Sequence, residues 1–329
     1  MNNKEEETRT NKVQDLVIFK TKIEYKRDKQ DRYPFETVDQ ENKIKLGYDF
    51  RPFSGHYLYS ILLHNQSMAP ITDVKIKIKY PKFLLLTRCT PPTTGIPPSI
   101  EDKGLKQINL EFDEFNENSK KQINFHFTPL SLKNVGEIRT ILTYVNNKDY
   151  VRVLNSEPVE IRIDKLNITP KIIPSFQIRK IMQIPNIKKA IKSFGVGTNA
   201  TVDLDLYFNI VEQIIRIHNF QLIAKDTDNK IIWYLGTDLE SEEDILVIGQ
   251  IVLNKIEIIA AAQNHKIIIS LLTQVSNDFK ERILRRGIVR SIDHIYELEC
   301  KYCGAILPFF PKKGETVECK KCNYEQIVW

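Results

Sequence analysis

The chain has 329 residues, of which 42% are hydrophobic and 27% charged, and its formal net charge is +6. The length predicts two larger domains and a small module, and a charge of both signs falls short of the concentrated basic excess of a dedicated nucleic-acid binder. No apolar run approaches the ~18 residues that cross a bilayer, and Met1-Asn-Asn-Lys-Glu-Glu-Glu lacks the apolar core of a signal peptide, so the reading is of a cytoplasmic chain.

Residues 1–14 are polar and aperiodic and read as a disordered tail. From 15 to 166 the pattern is of strands. Val17 to Tyr25 and Asn42-Lys-Ile-Lys-Leu-Gly-Tyr48 roughly alternate apolar with polar residues, and Tyr57–His64 reads as a buried strand. Val74-Lys-Ile-Lys-Ile-Lys-Tyr80, closed by Pro81, keeps a strict period of two. Gln107–Phe112, Gln122–Thr128, Ile138–Val145 and Pro158–Ile163 repeat the signature with no helical pattern between them. Short alternating strands separated by turn clusters predict an all-β, immunoglobulin-like β-sandwich over 15–166. The proline-rich stretch Pro91–Pro98 fits a stiff loop between strands.

The pattern changes after Lys165. Pro170, Pro174 and Pro185 mark a connector, and Gly195-Val-Gly197 reads as a hinge. Leu204, Phe208, Val211 and Ile215 then stand at helical spacing behind Asp203, a candidate N-cap. Strands are expected at Phe220–Ala224, Lys230–Leu235, Ile245–Leu253 and Lys255–Ala262, with turns at Asp226–Asn229 and in the acidic stretch Asp238–Asp244. A last helix, from Ile268 to Arg286, carries Leu271, Leu272, Val275, Phe279 and Leu284 on its apolar side. Strands flanked by helices predict an α+β layer over residues 170–290.

The most specific motif lies at the end. Cys300-Lys-Tyr-Cys303 and Cys319-Lys-Lys-Cys322 are two CxxC pairs fifteen residues apart, with Gly304 and Asn323 following them. Each pair aims two thiolates at one point, and two pairs complete the tetrahedron that one Zn²⁺ accepts, so residues 295–329 read as a zinc ribbon. Four protein sulfurs fill the metal's shell and leave no position for substrate, so the zinc would be structural. His294 stands near enough to raise a Cys₃His alternative, which an intact Cys₄ set makes unnecessary. Thiolates that must stay reduced agree with a cytoplasmic setting, in which the Asn65, Asn167 and Asn199 sequons carry no glycan. Cys89 stands alone and reads as a small core residue.

Two stretches carry a family likeness: Asp244-Ile-Leu-Val-Ile-Gly-Gln-Ile-Val-Leu-Asn-Lys-Ile-Glu-Ile-Ile-Ala-Ala-Ala262 and Ile267-Ile-Ile-Ser-Leu-Leu-Thr-Gln-Val-Ser276. In their order and in the helix, strands and acidic loop around them they resemble the platform subdomain of the coatomer gamma-subunit appendage. That family also places an immunoglobulin-like sandwich directly before its platform. The resemblance covers roughly residues 45–280 and is most specific over 245–276; the metal module is an addition to the family's plan. It implies a non-enzymatic adaptor that binds short linear motifs of protein partners in vesicle-mediated transport. The residues it points to for peptide binding are Trp233, Tyr234, Lys230 and Arg216; where the family carries an exposed tryptophan before the first platform helix, this chain has no tryptophan near Asn186.

The alternative partner is nucleic acid. Lys280, Arg282, Arg285, Arg286 and Arg290 form a basic patch ahead of the ribbon, whose knuckles hold Lys301, Lys320 and Lys321 and whose tip holds Lys312 and Lys313. Phe309, Phe310 and Tyr324 are candidates for stacking on bases. The same patch would suit the anionic surface of a membrane, as a peripheral attachment. No small-molecule substrate is expected: there is no nucleophile elbow, and Gly195-Val-Gly197 lacks the third glycine of a dinucleotide loop. Glu240, Glu242, Glu243 and Asp244 read as a solvated acidic loop, and His56, His64 and His126 as hydrogen-bonded structural residues.

Overall fold

The computed structural model describes residues 17–20, 40–53, 55–91, 104–197 and 203–329. The expected tail and most of Pro91–Pro98 lie outside these residues. Strands dominate, and they fall into two compact units. One comprises residues up to Arg51 together with Leu58–His126 and Val135–Arg162; the other comprises Pro52–Tyr57, Phe127–Asn134 and Ile163–Trp329.

The chain runs through β1 (Val17–Lys20), a short α1 (Gln40–Lys43), β2 (Ile44–Phe53), β3 (His56–Asn65), β4 (Ile71–Pro81), β5 (Leu84–Thr90), β6 (Leu105–Phe115), β7 (Ser119–Pro129), β8 (Asn134–Val145), β9 (Tyr150–Asn155) and β10 (Val159–Ile163). One sheet has the order β1-β9-β8-β4-β6 with β10 also on β8, and a second the order β2-β3-β7-β5. The alternation of β4 sets its register. Ile76 pairs with Leu110 on one side and Leu142 on the other, all three buried, while Lys75 and Lys77 face outward. Across from this stripe, the Tyr59 hydroxyl of β3 lies 2.7 Å from Thr140 Oγ1 of β8, a buried hydrogen bond between the two sheets. Asn65, the first of the three sequons, is fully buried and closes the turn after β3 by donating to the Ala69 and Asn116 carbonyls.

Two strands here were not expected, β5 and β9. Each carries a buried arginine in its apolar register: Arg88, 3.0 Å from His126 Nδ1, and Arg152, which lies over the Tyr150 ring. A cation in the inward phase removes the alternation by which such a strand is read.

The second unit contains β11 (Ile168–Pro170), α2 (Ile178–Met182), β12 (Lys188–Val196), α3 (Leu204–Ile217), β13 (Gln221–Asp226), β14 (Ile231–Asp238), β15 (Asp244–Val252), β16 (Lys255–Ala262), α4 (His265–Arg285), β17 (Ile295–Glu297), β18 (Thr316–Glu318) and β19 (Glu325–Ile327). Its sheet has the order β11-β14-β15-β16-β12-β17, with β13 also on β14. α3 begins where Asp203 accepts hydrogen bonds from the Asp205 and Leu206 amides, and α4 where Asn264 accepts from that of Lys266.

Both long helices bury one stripe on the same sheet face. Phe208, Val211 and Ile215 of α3 and Leu272, Val275 and Phe279 of α4 join Phe194, Tyr234, Val247 and Ile258 in one core, where each large apolar side chain contributes roughly 1.5–3 kcal/mol. α3 approaches β15 so closely that a Cβ on Gly249 would stand 2.6 Å from Val211. The opposite face, with Leu235, Leu246, Ile248 and Trp233, packs with Ile178, Ile181 and Met182 of α2.

β12 overturns one expectation. Gly195 lies inside this strand, not in a hinge, and a Cβ there would come within 2.2 Å of the Phe310 ring; at Gly197 it would meet Tyr296 and Trp329. The two glycines form the seat of an aromatic stack in which the Phe310 and Trp329 rings lie 5.4 Å apart and nearly parallel, with Tyr296 beside both.

Candidate metal centre and helical groove

The cysteine-bearing segment is joined to the sheet before it reaches its first cysteine. β17 pairs with β12, and the Leu298 amide donates to the Ser193 carbonyl at 2.8 Å. The two knuckles then repeat one geometry. The Gly304 amide donates to the Cys300 carbonyl and the Asn323 amide to the Cys319 carbonyl, both at 2.8 Å. Gly304 and Asn323 both take a positive φ, 71° and 55°, the left-handed conformation that glycine and asparagine tolerate best.

All four sulfurs lie within 4.8 Å of one another, with Cys300–Cys322 and Cys303–Cys319 each at 3.6 Å. A disulfide would bring two sulfurs to about 2.05 Å. Sulfurs at ~2.3 Å from a tetrahedral ion stand about 3.8 Å apart, so the donor set fits one thiolate-bound metal. Burial pushes the Cys303 thiol up to about 12, whereas at Cys319 burial is outweighed by the Lys321 and Cys322 amides, which bring it down to about 7. Within the second knuckle the two cysteines differ, since burial raises Cys322, and a cation would compensate the thiolates that burial disfavours. His294 is not in the cluster; its carbonyl receives the Gly197 amide at 2.8 Å.

Beside the first knuckle lies a buried charge network that the sequence reading missed. Lys192, on β12 and 2% exposed, places Nζ 3.2 Å from Glu297 and 3.5 Å from Glu299. Lys280 of α4 holds the other oxygen of Glu297 at 2.6 Å, while His56 binds Glu299 through Nε2 and Thr128 through Nδ1, each at 2.6 Å. Burial alone would raise Glu297, but the ammonium groups of Lys192 and Lys280 outweigh it and hold the carboxyl at about 2. Lys192 moves the opposite way: burial would lower it, and Glu299 and Glu297 raise it instead. A second buried pair, Lys255 and Glu257 at 2.7 Å, also grips the cysteine segment, since Lys255 Nζ donates to the Leu307 carbonyl at 3.0 Å. The signal for this network was Lys192 itself, in phase with Ala190, Phe194 and Val196.

On the helical face, α3 and α4 leave an open groove. One cavity of about 390 Å³ is lined by Ile214 and Ile217 of α3 and by Asp278, Glu281, Arg282, Arg285 and Arg286 along α4. A second, of about 530 Å³, continues from the shared Ile217 and Asp278 past His218 and Gln274 to Lys165 and Leu132. Ile217 is 59% exposed. His218 lies 2.8 Å from Asp278 and 2.9 Å from Gln274, and its burial outweighs the pull of Asp278 and lowers its basicity.

The other expected site residues scatter. Tyr234 is fully buried in the helical core and Trp233 points to the opposite face, so adjacent positions on one strand cannot serve one peptide; Lys230 is paired with Asp205 at 2.5 Å and Arg216 is exposed on α3. In the basic patch, Lys280 is bound to Glu297, Arg282 and Arg286 donate to Gln213, Arg285 pairs with Glu281 at 2.5 Å, and Arg290 is exposed. Of the expected base-stacking rings, Phe310 is taken into the stack with Trp329 and Phe309 packs into the ribbon core, while Tyr324 stacks with Tyr302 at 5.8 Å and both remain 44% exposed. The acidic loop is structural: Asp238 accepts from the Ser241 amide and hydroxyl, Glu243 from the Asn264 amide, and Asp244 pairs with Lys171. Among the described residues the cysteines are the one group of metal-type donors brought together, and no helix is long and apolar enough to cross a membrane.

No family model and no curated protein matches this chain. The solved structures to which it is weakly similar include an inactive variant of GH20 exo-β-N-acetylglucosaminidase from Vibrio harveyi, at 10% identity and a TM-score of 0.23 over 67% of this chain. The same enzyme bound to N-acetylglucosamine gives 8% and 0.22, and in both cases this chain spans 39% of the enzyme's length. Spo0M, a sporulation control protein from Bacillus subtilis, gives 9% identity and a TM-score of 0.18 over 67% of this chain and 79% of its own. Scores this low carry no inference about function.

Two outcomes test the buried network. Lys192→Met leaves Glu297 only Lys280 and Glu299 only His56 in a largely buried cluster, and is expected to lower the urea unfolding free energy by about 3 kcal/mol; an unchanged midpoint would show that Lys192 bears no weight. Glu297 has a folded value below its free value of 4.5, so its contribution is complete above pH 4.5 and is lost as pH falls toward 2. Melting temperatures across that window should fall more shallowly for Glu297→Gln than for the parent protein.

Proposed function

We propose that this protein is a non-enzymatic adaptor built on the appendage plan, in which an immunoglobulin-like sandwich precedes an α+β platform and a zinc ribbon is fixed to the platform's sheet. The platform captures segments of protein partners, in the manner by which coat appendages recruit accessory factors to membranes. One observation carries this reading: the helical face of the platform holds a continuous groove floored by Ile214 and Ile217 and walled by charged residues of α4. An exposed aliphatic residue in a groove between helices is the geometry that takes an apolar anchor from a partner. The ribbon acts as a staple, and its metal is zinc, the ion that four thiolates in a tetrahedron best satisfy.

The zinc assignment predicts one equivalent of zinc per chain, released by a mercurial reagent and read with a colorimetric chelator. Cys319→Ser should lose that equivalent and expose Trp329, whose ring is stacked on Phe310, as a red shift in fluorescence. Full zinc retention by the variant would remove Cys319 from the ligand set. For the groove, a random-peptide display selection on the whole protein should enrich binders that fail on Ile217→Asp, a change at a 59% exposed position that leaves melting unaltered. Peptides that bind parent and variant alike would refute the groove as the recruiting surface.

A further inference from the structure

We propose that the groove between α3 and α4 receives an amphipathic helix with an apolar stripe and a cluster of acidic residues at one end. The proposal rests on the adaptor reading and specifies its partner.

The groove has a helical repeat. On α3, Ile214 and Ile217 are three residues apart, Ile214 buried at the base of the groove and Ile217 exposed above it. On α4, Asp278, Arg282 and Arg286 follow one another at four-residue steps, over about 12 Å of helix. A third helix laid between the two would meet apolar and charged contacts once per turn, as in helix-in-groove recognition.

The charge along this wall is graded. Asp278 and Glu281 stand at the end nearer His218, and Arg282, Arg285 and Arg286 at the other. Arg282 and Arg286 both donate to Oε1 of Gln213, at 2.9 and 3.0 Å, a neutral acceptor that fixes their position without cancelling their charge. Two oriented guanidinium groups 3 Å from one amide form a fork suited to carboxylates, the more so because less side-chain entropy remains to be lost. The aliphatic floor and the two carboxylates on the same wall oppose a phosphate backbone, which favours a protein occupant over nucleic acid.

The test uses fluorescence anisotropy on the full chain with labelled peptides of roughly 18 residues, five helical turns. One has a leucine stripe with glutamates clustered at one end, one has lysines in their place, and one is the glutamate peptide interrupted by proline; a uridine oligonucleotide is the fourth probe. The glutamate helix is expected to bind, with affinity falling as salt rises, and the lysine helix to bind at least about tenfold more weakly. Arg285→Glu, at a position whose partner Glu281 is itself exposed, and the pair Arg282→Gln with Arg286→Gln, should each weaken the glutamate helix while circular dichroism reports an intact fold. Equal binding of the lysine helix, no binding of the glutamate helix, or indifference to the arginine variants would overturn the acidic partner, and the adaptor reading would stand if display-selected peptides still failed on Ile217→Asp. Undiminished binding of the proline peptide would overturn the helix, preferential binding of the oligonucleotide would overturn the protein occupant, and retention of every probe by Ile217→Asp would sink the groove altogether.

Discussion

The second unit turns on one ammonium group. Lys192 projects from β12 into a place where water does not reach, and removing an ion from water costs several kcal/mol unless the protein supplies the compensation. It comes from a segment more than a hundred residues away, Glu297 and Glu299, on the approach to the first metal knuckle. Glu297 also takes the Lys280 ammonium, so the same carboxylate ties the end of α4 to β12. A slip of one residue along β17 would turn its inward side chains to the other face. The charge network does not tolerate that slip, because it turns a glutamate away and strands the lysine.

This constraint explains why the cysteine segment is part of the sheet and does not hang from a hinge. Some thirty residues with a core of Leu298, Leu307 and Val317 bury too little to hold together alone. Three devices make up the difference: the four-cysteine cluster that can hold a metal ion, the Lys255 bond to the Leu307 carbonyl, and the aromatic stack lowered onto Gly195 and Gly197. The glycines matter here for what they lack, since any side chain at 195 would occupy the space of the Phe310 ring.

How much of this could be read in advance followed from which residues obey the two-residue period. β4 and β8 keep it and were legible; α3 was legible down to its Asp203 cap, and the two CxxC pairs with the Gly304 and Asn323 that follow them. β5, β9 and β12 hid for one shared reason. Arg88, Arg152 and Lys192 sit in the inward phase, and a pattern that scores cations as outward sees no strand. The partners that make such a residue tolerable are distant in sequence, as with His126 for Arg88 and Glu297 for Lys192, and so give no local signal. The same blindness affected the candidate site. The resemblance pointed to Trp233 and Tyr234 together, although neighbours on a strand face opposite ways, whereas the groove is assembled from two helices about sixty residues apart.

The layering of the sheet decides which of its surfaces remains for recognition. One face is occupied by α3 and α4, and the other packs with α2. Inner strands have no free edge, and one end of the sheet is taken up by β17, which leads into the cysteine segment. The outer seam between the two long helices stays open, and there the chain spends polar contacts on position, holding two guanidinium groups on one glutamine. Both helices rest on the sheet through fully buried Val211, Ile215, Val275 and Phe279, so the backbone of the seam is held by core packing. A surface placed in this way, with an aliphatic residue exposed and two of its cations hydrogen-bonded to one glutamine, lowers the ordering cost of binding a partner.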